Sequence, residues 1–510
     1  MMRKTTQRVI SALLAFLTSG MICACAADNP TEVPGDSSAD TAATTTAPEV
    51  TETEADMEST LPAELDFEGK PVRFIIEIAW SDTDLQMVDS IYVAEDSADI
   101  VNSAVYHRNA RINEYLNTSI QVSRTVKPKQ LINTLNTDVA AGSCDYDIVG
   151  AFQAYSISLA ASGMLNPLDD VKHLDLTASY WPTEYLDEMS YKGTYWTTGD
   201  MTRMYTGGIY ATFVNQRIWN NTYPKDSIYD IVRDGKWTIE RLAKVAADAY
   251  VDLDGDGAVS AGDTFGFTYE IMPDYLACGA EVRYSQKSEK GIPAITIASE
   301  HTFNVWEKLY GLFFNTKGSV NTADVGIKNV ITSFHDQKVL AITQKISESV
   351  VAFRDMEDDF FIIPLPKYDE NQKNYNTQIH DNVTLFGIPV TNTATDAAGA
   401  VLTAMEVESD LTVMPIYYET ALKQKYSRDS ESGEMIDLIR SHVTTDFVYM
   451  YSESIGGGIG STGKGIHRVL RTAVTNKSEA VASLYESGMP AYEKYLSELL
   501  KAFDDLAAKK

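Results

Sequence analysis

Apolar and polar positions along the chain alternate between the spacing typical of strands and the spacing typical of helices. Short apolar runs at 71–80, 119–126 and 146–152 predict three strands. The segments between these runs, 100–117 and 131–142, carry apolar residues at helical spacing and predict helices. This order predicts an α/β fold with a parallel sheet and crossover helices. The carboxyl ends of such strands form the crevice in which α/β proteins bind ligands.

The first 24 residues have the layout of a secretory signal. A basic start precedes an apolar stretch at 9–17, which is shorter than the ~20 residues needed to cross a bilayer. Cys25 directly follows Ala24, and this arrangement resembles the lipobox of bacterial lipoproteins. We therefore expect cleavage before Cys25, a lipid anchor on its thiol, and a location outside the cytoplasm on the cell membrane. The alternative is an ordinary secreted protein with incidental cysteines.

The next segment, 25–65, contains ten acidic residues and no Lys or Arg, and it is rich in Thr, Ala, Ser and Pro. Because it has few large apolar residues, it predicts a disordered, charge-extended tether. The whole chain of 510 residues has a formal net charge of −30. Such a charge repels nucleic acid and anionic lipid surfaces, so the composition argues against both as partners.

Apart from Cys23 and Cys25, the chain has two cysteines, Cys144 and Cys278. A location outside the cytoplasm would permit a disulfide between them. Their wide separation in the sequence favours two buried free thiols instead.

A series of later segments resembles, in order and in spacing, the extracellular solute-binding proteins (family 1) of sugar-type ABC importers. The segments are YDIVG (146–150), GMLNPLDD (163–170), YKGTYWTTGD (191–200), YATFVNQRIWNN (210–221), a helix with an acidic loop and strand (234–267), FIIPLPKYDENQKNY (361–375) and HDNVTLFGIPVTN (380–392). In that family, the segment matched by 191–200 forms a pair of strands. The segment matched by 210–221 enters the second lobe, and the last two segments cross back to the first.

The resemblance implies a periplasmic-binding-protein-like fold of two α/β lobes, with about three crossovers and a hinge that closes over the ligand. Mapped onto this sequence, the first lobe would comprise 66–205 plus 359–400. The second lobe would comprise 206–358 plus 401–510. The resemblance further implies a monomer that captures a carbohydrate, such as an oligosaccharide, and delivers it to the membrane subunits of an ABC importer.

Aromatic residues are the main signal for the ligand, since the chain has 28 Tyr and 6 Trp. Sugars stack their apolar faces on flat rings, while their hydroxyl groups need carboxylate, amide or guanidinium partners. We expect the ligand-binding residues just after the predicted strands and before the first crossover. These candidates are Trp80, Asp82, Phe152, Gln153, Tyr155, Trp181, Trp196, Asp200, Arg203 and Tyr205. Each aromatic among them has core packing as its alternative role, and Trp237 and Trp306 are predicted to lie in the core.

The loop DLDGDGAVSAGD (252–263) has the spacing of a calcium site. Alternating carboxylates and a turning glycine supply the several oxygen atoms that Ca²⁺ requires. The predicted ligands are Asp252, Asp254, Asp256, the carbonyl group of Ala258, Ser260 through water, and Asp263. A helix (238–250) precedes the loop and a strand-like run follows it, so we expect a structural Ca²⁺ in a helix–loop–strand site. The alternative is a solvated acidic turn without metal.

Signatures of catalysis are weak. GIGSTG (458–463) resembles a dinucleotide or phosphate loop, but Gly465 stands where Ser or Thr is required, and the motif is late in the chain. Motifs for nucleophilic or zinc catalysis are absent from the sequence. Two alternatives to a transporter subunit stay open. One is a tethered glycan-binding or sensing protein, and the other is an exported glycosidase with two carboxylates ~5–9.5 Å apart.

Overall fold

The computed structural model describes residues 56–78, 86–143, 145–199, 207–380, 383–418, 430–456 and 465–508. The strands in these ranges are β1 (Pro71–Glu77), β2 (Ser119–Val126), β3 (Ile148–Phe152), β4 (Tyr210–Asn215), β5 (Phe265–Tyr269), β6 (Ser285–Lys287), β7 (Pro293–Ile295), β8 (Ser319–Asn321), β9 (Val339–Lys345), β10 (Phe360–Ile363) and β11 (Thr384–Gly387). Two larger sheets divide most of these strands between them, and each sheet forms the centre of one lobe.

Helices cover the faces of both sheets. The α-helices are Met57–Thr60, Gln86–Ile91, Ile100–Leu116, Pro128–Ala141, Gln153–Ala161, Thr183–Met189, Gln216–Thr222, Ile228–Arg233, Ile239–Ala249, Asp274–Gly279, Glu300–Tyr310, Val330–His335, Glu348–Val351, Thr395–Glu408, Ser430–Arg440, Phe447–Met450, Arg468–Thr475 and Val481–Ala507. Short π-helices at Gly311–Asn315 and Ser409–Val413 and a 3₁₀ helix at Thr322–Val325 complete the set. The predicted α/β class is therefore confirmed.

The first sheet has the strand order β11-β3-β1-β2. Strand β1 pairs in parallel with β2 and β3, whereas β11 pairs antiparallel with β3. Phe74, Ile75 and Ile76 of β1 have no exposed surface because helices cover both faces of this central strand. The strand–helix–strand–helix–strand opening predicted from the apolar pattern is thus present, and the carboxyl ends of β1 and β3 lie at one edge.

The second sheet has the order β10-β4-β9-β5-β8. Strand β5 pairs in parallel with β8 and β9, while β4 pairs antiparallel with β9 and β10. Phe213 of β4 packs edge-on against Phe334 and Phe353, with ring centroids 6.1 and 5.2 Å away. These rings form the apolar centre of the second lobe.

Two chain segments cross between the lobes side by side. Ile209, just before β4, bridges to Ile379, and the N–H of His380 donates to the carbonyl oxygen of Gly208 at 2.9 Å. The predicted first-lobe segment 359–400 contributes to both sheets, since β10 lies in the second sheet and β11 in the first. The chain therefore crosses back to the first lobe after β10, because β10 still pairs with β4 in the second sheet.

The C-terminal helix Val481–Ala507 contacts both lobes. Near its start, the indole Nε1 of Trp306, from the second lobe, donates to the carbonyl oxygen of Ser478 at 3.1 Å. Near its end, Phe503 packs on Trp196 of the first lobe with ring centroids 4.4 Å apart. This helix gives the lobes a further connection beside the crossing segments.

Two local predictions need correction. The predicted tether 25–65 ends in ordered structure, because Met57 and Leu61 are each only 3% exposed and pack into the first lobe. Their apolar side chains bury area that an acidic tether would leave in water. The predicted strand pair at 191–200 is reduced, in its described part, to a single antiparallel bridge between Tyr191 and Thr194.

Cys278 is buried and is not part of a disulfide. Cys144 lies outside the described residues, as do the predicted secretory signal, residues 25–55 of the predicted tether and the glycine-rich segment 458–463. Among the residues that the structure describes, none of the helices combines the length and apolar character of a membrane span.

Candidate ligand-binding site

Side chains from distant parts of the chain meet in a small pocket where the crossing segments join the lobes. The pocket is small and is lined by Tyr210, Met272, Asp274, Tyr275, Gln378, His380 and Tyr449. Tyr210 is the first residue of β4, and 272–275 follow the carboxyl end of β5. Gln378 and His380 belong to the segment between β10 and β11. The pocket therefore lies at the junction where a two-lobe fold binds its ligand.

Three rings form a stack in this pocket. The ring centroids of Tyr210 and Tyr275 are 4.4 Å apart with a 19° interplanar angle, and those of Tyr210 and His380 are 5.8 Å apart. Both tyrosines are buried, and burial raises the pKa of Tyr275 above its ordinary value, so its hydroxyl group stays protonated at neutral pH. Such rings present an apolar face together with hydrogen-bonding edges.

Asp274 provides the negative charge of the pocket. It is 3% exposed, and its Oδ2 accepts a hydrogen bond from Nε of Arg471 at 2.5 Å. Its Oδ1 accepts from the hydroxyl group of Tyr284 at 3.4 Å. A buried ion pair fixes the orientation of its members more than it adds net stability. Arg471 therefore holds the Asp274 carboxylate in place from the C-terminal part of the chain.

The first lobe contributes polar groups at the carboxyl ends of β1 and β3. Glu77, the last residue of β1, is fully buried, and its Oε2 accepts the backbone N–H of Phe152 at 3.0 Å. Burial raises the pKa of Glu77 to about 8, although this hydrogen bond acts in the opposite direction. The carboxyl group is therefore largely neutral at pH 7.

Gln153 links this edge of the first sheet to the pocket. Its backbone N–H donates to the carbonyl oxygen of Val383 at 3.0 Å, and the N–H of Val383 donates to the carbonyl oxygen of His380 at 3.3 Å. Its side-chain Oε1 accepts from the hydroxyl group of Tyr185 at 2.5 Å. The polar edge of the first lobe and the ring stack are thus joined through one short segment.

No protein-family model and no curated protein matches the sequence. The structure is similar to the ABC substrate-binding protein Lmo0181 from Listeria monocytogenes, solved with cycloalternan, with a TM-score of 0.52 and 11% identity over 86% of this chain and 99% of that chain. It is similar to the galacto-N-biose/lacto-N-biose I-binding protein of Bifidobacterium longum, solved with lacto-N-biose, with a TM-score of 0.54 and 10% identity over 85% and 98%. It is also similar to UgpB from Mycobacterium tuberculosis, solved with glycerophosphocholine, with a TM-score of 0.51 and 12% identity over 85% and 98%. The chain has the two-lobe fold of ABC-importer solute-binding proteins.

Within this solute-binding-protein fold, Phe152, Gln153 and Tyr155 lie at the carboxyl end of β3, where the sequence predicts them. All three are buried, at 7%, 3% and 9% exposure. Trp181 and Trp196 are also buried, and the indole Nε1 of each has no hydrogen-bond partner among the described residues. Trp196 packs on Phe503, so its ring belongs to the core. Trp237 and Trp306 are buried, in agreement with the core role predicted for them.

The other predicted residues of the ligand site lie outside the described part of the chain. They are Trp80, Asp82, Asp200, Arg203 and Tyr205, and the same holds for Cys25. Their roles stay predictions.

Sequence reasoning missed the residues that meet in the pocket, Tyr210, Tyr275 and His380 above all. Their sequence neighbourhoods are ordinary strand ends, and the order of the strands is needed to bring them together. Glu77 was also missed, although the sequence contains a signal for it. An ionisable residue inside the apolar run 71–80 is unusual, because a strand covered on both faces is normally apolar.

The acidic loop 252–263 lies at the surface, after the helix Ile239–Ala249 and before β5, as predicted. Oxygen atoms from Asp252, Asp254 and Asp256 lie within 4.8 Å of one another. Asp252 accepts the N–H groups of Gly255 at 2.7 Å and Gly257 at 2.9 Å, and both glycines have positive φ angles of 72° and 76°. The turn therefore gathers three carboxylates around one point.

Asp263 takes a different place from the one predicted for a twelfth ligand. It is 1% exposed and accepts the N–H of Ser260 at 2.9 Å and the hydroxyl group of Tyr250 at 3.1 Å. The N–H of Leu253 also donates to it, at 3.4 Å. In this arrangement Asp263 closes the loop, and it is not among the three gathered carboxylates.

Crowding of the loop carboxylates affects Asp254. The backbone N–H of Asp256 lowers the pKa of Asp254, but desolvation and the carboxylates of Asp256 and Asp252 outweigh it, so the net shift is upward. A bound cation would relieve this repulsion. The N–H of Ala258 donates to Asp256, and the metal role of the Ala258 carbonyl oxygen stays a prediction.

Proposed function

We propose that this protein is an extracytoplasmic solute-binding protein that captures a carbohydrate between its two lobes and delivers it to an ABC importer. The observation that carries the proposal is the stack of Tyr210, Tyr275 and His380 at the junction of the lobes. It combines flat apolar faces with hydrogen-bonding groups in a protein whose fold is that of importer-associated binding proteins.

The character of the pocket favours a neutral polyhydroxylated ligand. Solved structures of the same fold contain cycloalternan and lacto-N-biose, but also glycerophosphocholine, so the fold alone leaves the ligand class open. The described residues that line the pocket include no Lys or Arg, so a phosphate group would lack such a cationic partner among them. Hydroxyl groups, in contrast, donate readily to a carboxylate.

The contacts made by the carboxyl groups of Asp274 and Glu77 favour binding of the ligand without its cleavage. A glycosidase needs one carboxylic acid and one carboxylate that flank the scissile bond with room for water. The protein already holds both carboxyl groups, that of Asp274 by Arg471 and that of Glu77 by the N–H of Phe152. The similar structures named above are of binding proteins, which supports the same interpretation.

The anchor and the partners belong to the same proposal. A lipid on Cys25 and an acidic tether would hold the monomeric protein beside the importer at a high effective concentration. Palmitate labelling of wild type and of Cys25→Ala tests the anchor, with labelling expected for wild type alone.

We further propose that the acidic loop binds one structural Ca²⁺. The gathered carboxylates of Asp252, Asp254 and Asp256 support this proposal, because Ca²⁺ requires several oxygen ligands. The loop lies at the surface of the second lobe, and its role is to stabilise the entry into β5.

A thermal-shift screen of mono- and oligosaccharides tests the proposed function. A ligand that binds only the folded state raises the melting temperature, by an amount set by its concentration relative to Kd. We expect at least one carbohydrate to do so, and calorimetry to give one site per chain. Glycerophosphocholine serves as the control with a phosphate group and should give no shift.

Product analysis separates binding from catalysis. Each carbohydrate that gives a shift is incubated with the protein and analysed for cleavage. Sustained turnover would show that the protein is an enzyme, and a screen without any stabilising carbohydrate would contradict the proposed function as a whole.

A further inference from the structure

Glu77 is an unusual residue for its position. Central strands of a covered sheet are apolar on both faces, and an ionisable group there is costly unless it is fully hydrogen-bonded. Glu77 has no exposed surface, and its Oε1 has no hydrogen-bond partner among the described residues. Only Oε2 is engaged, by the N–H of Phe152. Half of the hydrogen-bonding capacity of the carboxyl group is therefore unused.

Glu77 lies at the end of the first sheet that faces the proposed ligand site. Glu77 ends β1 and Phe152 ends β3, at the carboxyl edge of the first sheet. The next residue, Gln153, is joined to the pocket through Val383 and His380. Groups at this edge of an α/β sheet are the ones that reach a ligand in the crevice.

A carboxyl group elsewhere in the same sheet shows what a purely structural role looks like. Asp147, just before β3 at the opposite edge, accepts the backbone N–H of Arg73 at 2.9 Å through Oδ2. The guanidinium group of Arg73 also donates to both of its oxygens, at 3.1 and 3.4 Å. Both oxygens of Asp147 are thus satisfied by the protein, whereas one oxygen of Glu77 is not.

We propose that Glu77 is a specificity-determining residue, whose Oε1 forms a hydrogen bond with a hydroxyl group of the bound carbohydrate. This inference rests on the proposed function and assigns the first lobe a polar contact opposite the ring stack of the second lobe. The bond to Phe152 holds the carboxyl group, and the unused oxygen becomes paired only when the ligand is present. An unsatisfied buried group at a binding site gives strong selection for ligands that can satisfy it.

The experiment compares Glu77→Met, which removes the hydrogen-bonding group at similar size, with Glu77→Gln, which keeps it. For the best carbohydrate of the screen, we expect about tenfold weaker binding for Glu77→Met and binding within about twofold of wild type for Glu77→Gln. Asp147→Leu is the matched control at the opposite edge of the sheet. It should lower the melting temperature without changing the affinity.

Monodeoxy analogues of the same carbohydrate separate a direct contact from an indirect structural effect. One analogue lacks the hydroxyl group that Glu77 contacts, and wild type and Glu77→Met should bind it with equal affinity. For the other analogues, the affinities of the two proteins should differ about tenfold. An affinity ratio that is the same for every analogue would overturn the inference while leaving the proposed function intact. A wild-type protein that binds no carbohydrate would instead overturn the proposed function, and the inference with it.

Discussion

The acidic loop 252–263 of the second lobe and the ring pocket at the lobe junction are both candidate sites, but they are built in opposite ways. In the loop, three carboxylates come from five consecutive residues, and their contacts are to backbone N–H groups two to five residues away. In the pocket, Tyr210, Tyr275 and His380 come from three separate parts of the chain, and both tyrosines are buried between elements. A short turn builds the first site, and the strand order builds the second.

This difference determines how each site responds to change. The loop is exposed, with Leu253 at 64% exposure, so its side chains have little packing to lose. The pocket is made of side chains that also belong to the core, so its function and the stability of the second lobe are coupled.

Tyr275→Ala should have the largest effect. Removing a buried aromatic ring typically costs about 3–5 kcal/mol of unfolding free energy, and here it also removes the ring on which Tyr210 stacks. We expect a loss of this size in denaturant unfolding, together with loss of carbohydrate binding in calorimetry. Tyr275→Phe keeps the ring and should retain most of the stability. Undiminished carbohydrate affinity in Tyr275→Ala would place the ligand elsewhere.

Glu77 should make stability depend on pH. Its pKa is raised to about 8 in the folded protein from an ordinary value of 4.5, so the folded state binds the proton more tightly than the unfolded state. The resulting stabilisation is fully present below about pH 4.5 and is lost as the pH rises through about 8. Relative to Glu77→Gln, wild type should lose a few kcal/mol between these values.

Unfolding of both proteins by urea, measured at several pH values, gives this difference directly. Groups common to the two proteins cancel, so the difference isolates residue 77. If the difference in unfolding free energy between the two proteins stays constant with pH, the pKa of Glu77 is not raised in the folded protein.

The same contrast explains what the sequence can predict. Strand β2 has the bounds predicted from its apolar pattern, and the acidic loop has the predicted helix before it and strand after it, because these features depend on neighbouring residues. The pairing of Tyr210 with Tyr275 depends on which strands lie side by side, which a single sequence does not specify. Trp196 was predicted to contact ligand or, alternatively, to pack in the core, and the placement of its ring against Phe503 depends on where the C-terminal helix docks.

Calcium removal should have an intermediate effect. At a concentration 100-fold above Kd, a bound ion adds about 2.7 kcal/mol to the unfolding free energy. A chelator should therefore lower the melting temperature of wild type. The double variant Asp252→Asn with Asp256→Asn should show no response to the chelator. With or without chelator, it should melt near the temperature of chelator-treated wild type.

Asp263→Asn separates the two roles of loop carboxylates. Because Asp263 accepts two hydrogen bonds from within the loop and one from the hydroxyl group of Tyr250 before it, its replacement should destabilise the protein even in the presence of the chelator. An unchanged melting temperature of wild type on chelation would remove the calcium site from the proposal.

Leu253→Ser should have the smallest effect and sharpen the contrast most directly. Leu253 lies in the acidic loop and is 64% exposed, so its replacement should change the unfolding free energy by no more than about 0.5 kcal/mol. Leu242, in the helix just before the loop, has no exposed surface, and Leu242→Ala should cost about 2–5 kcal/mol. Both are measured by urea unfolding with calcium present. A large loss for Leu253→Ser would show that this side chain is covered in solution, and the loop would then resemble the pocket in depending on contacts from distant parts of the chain.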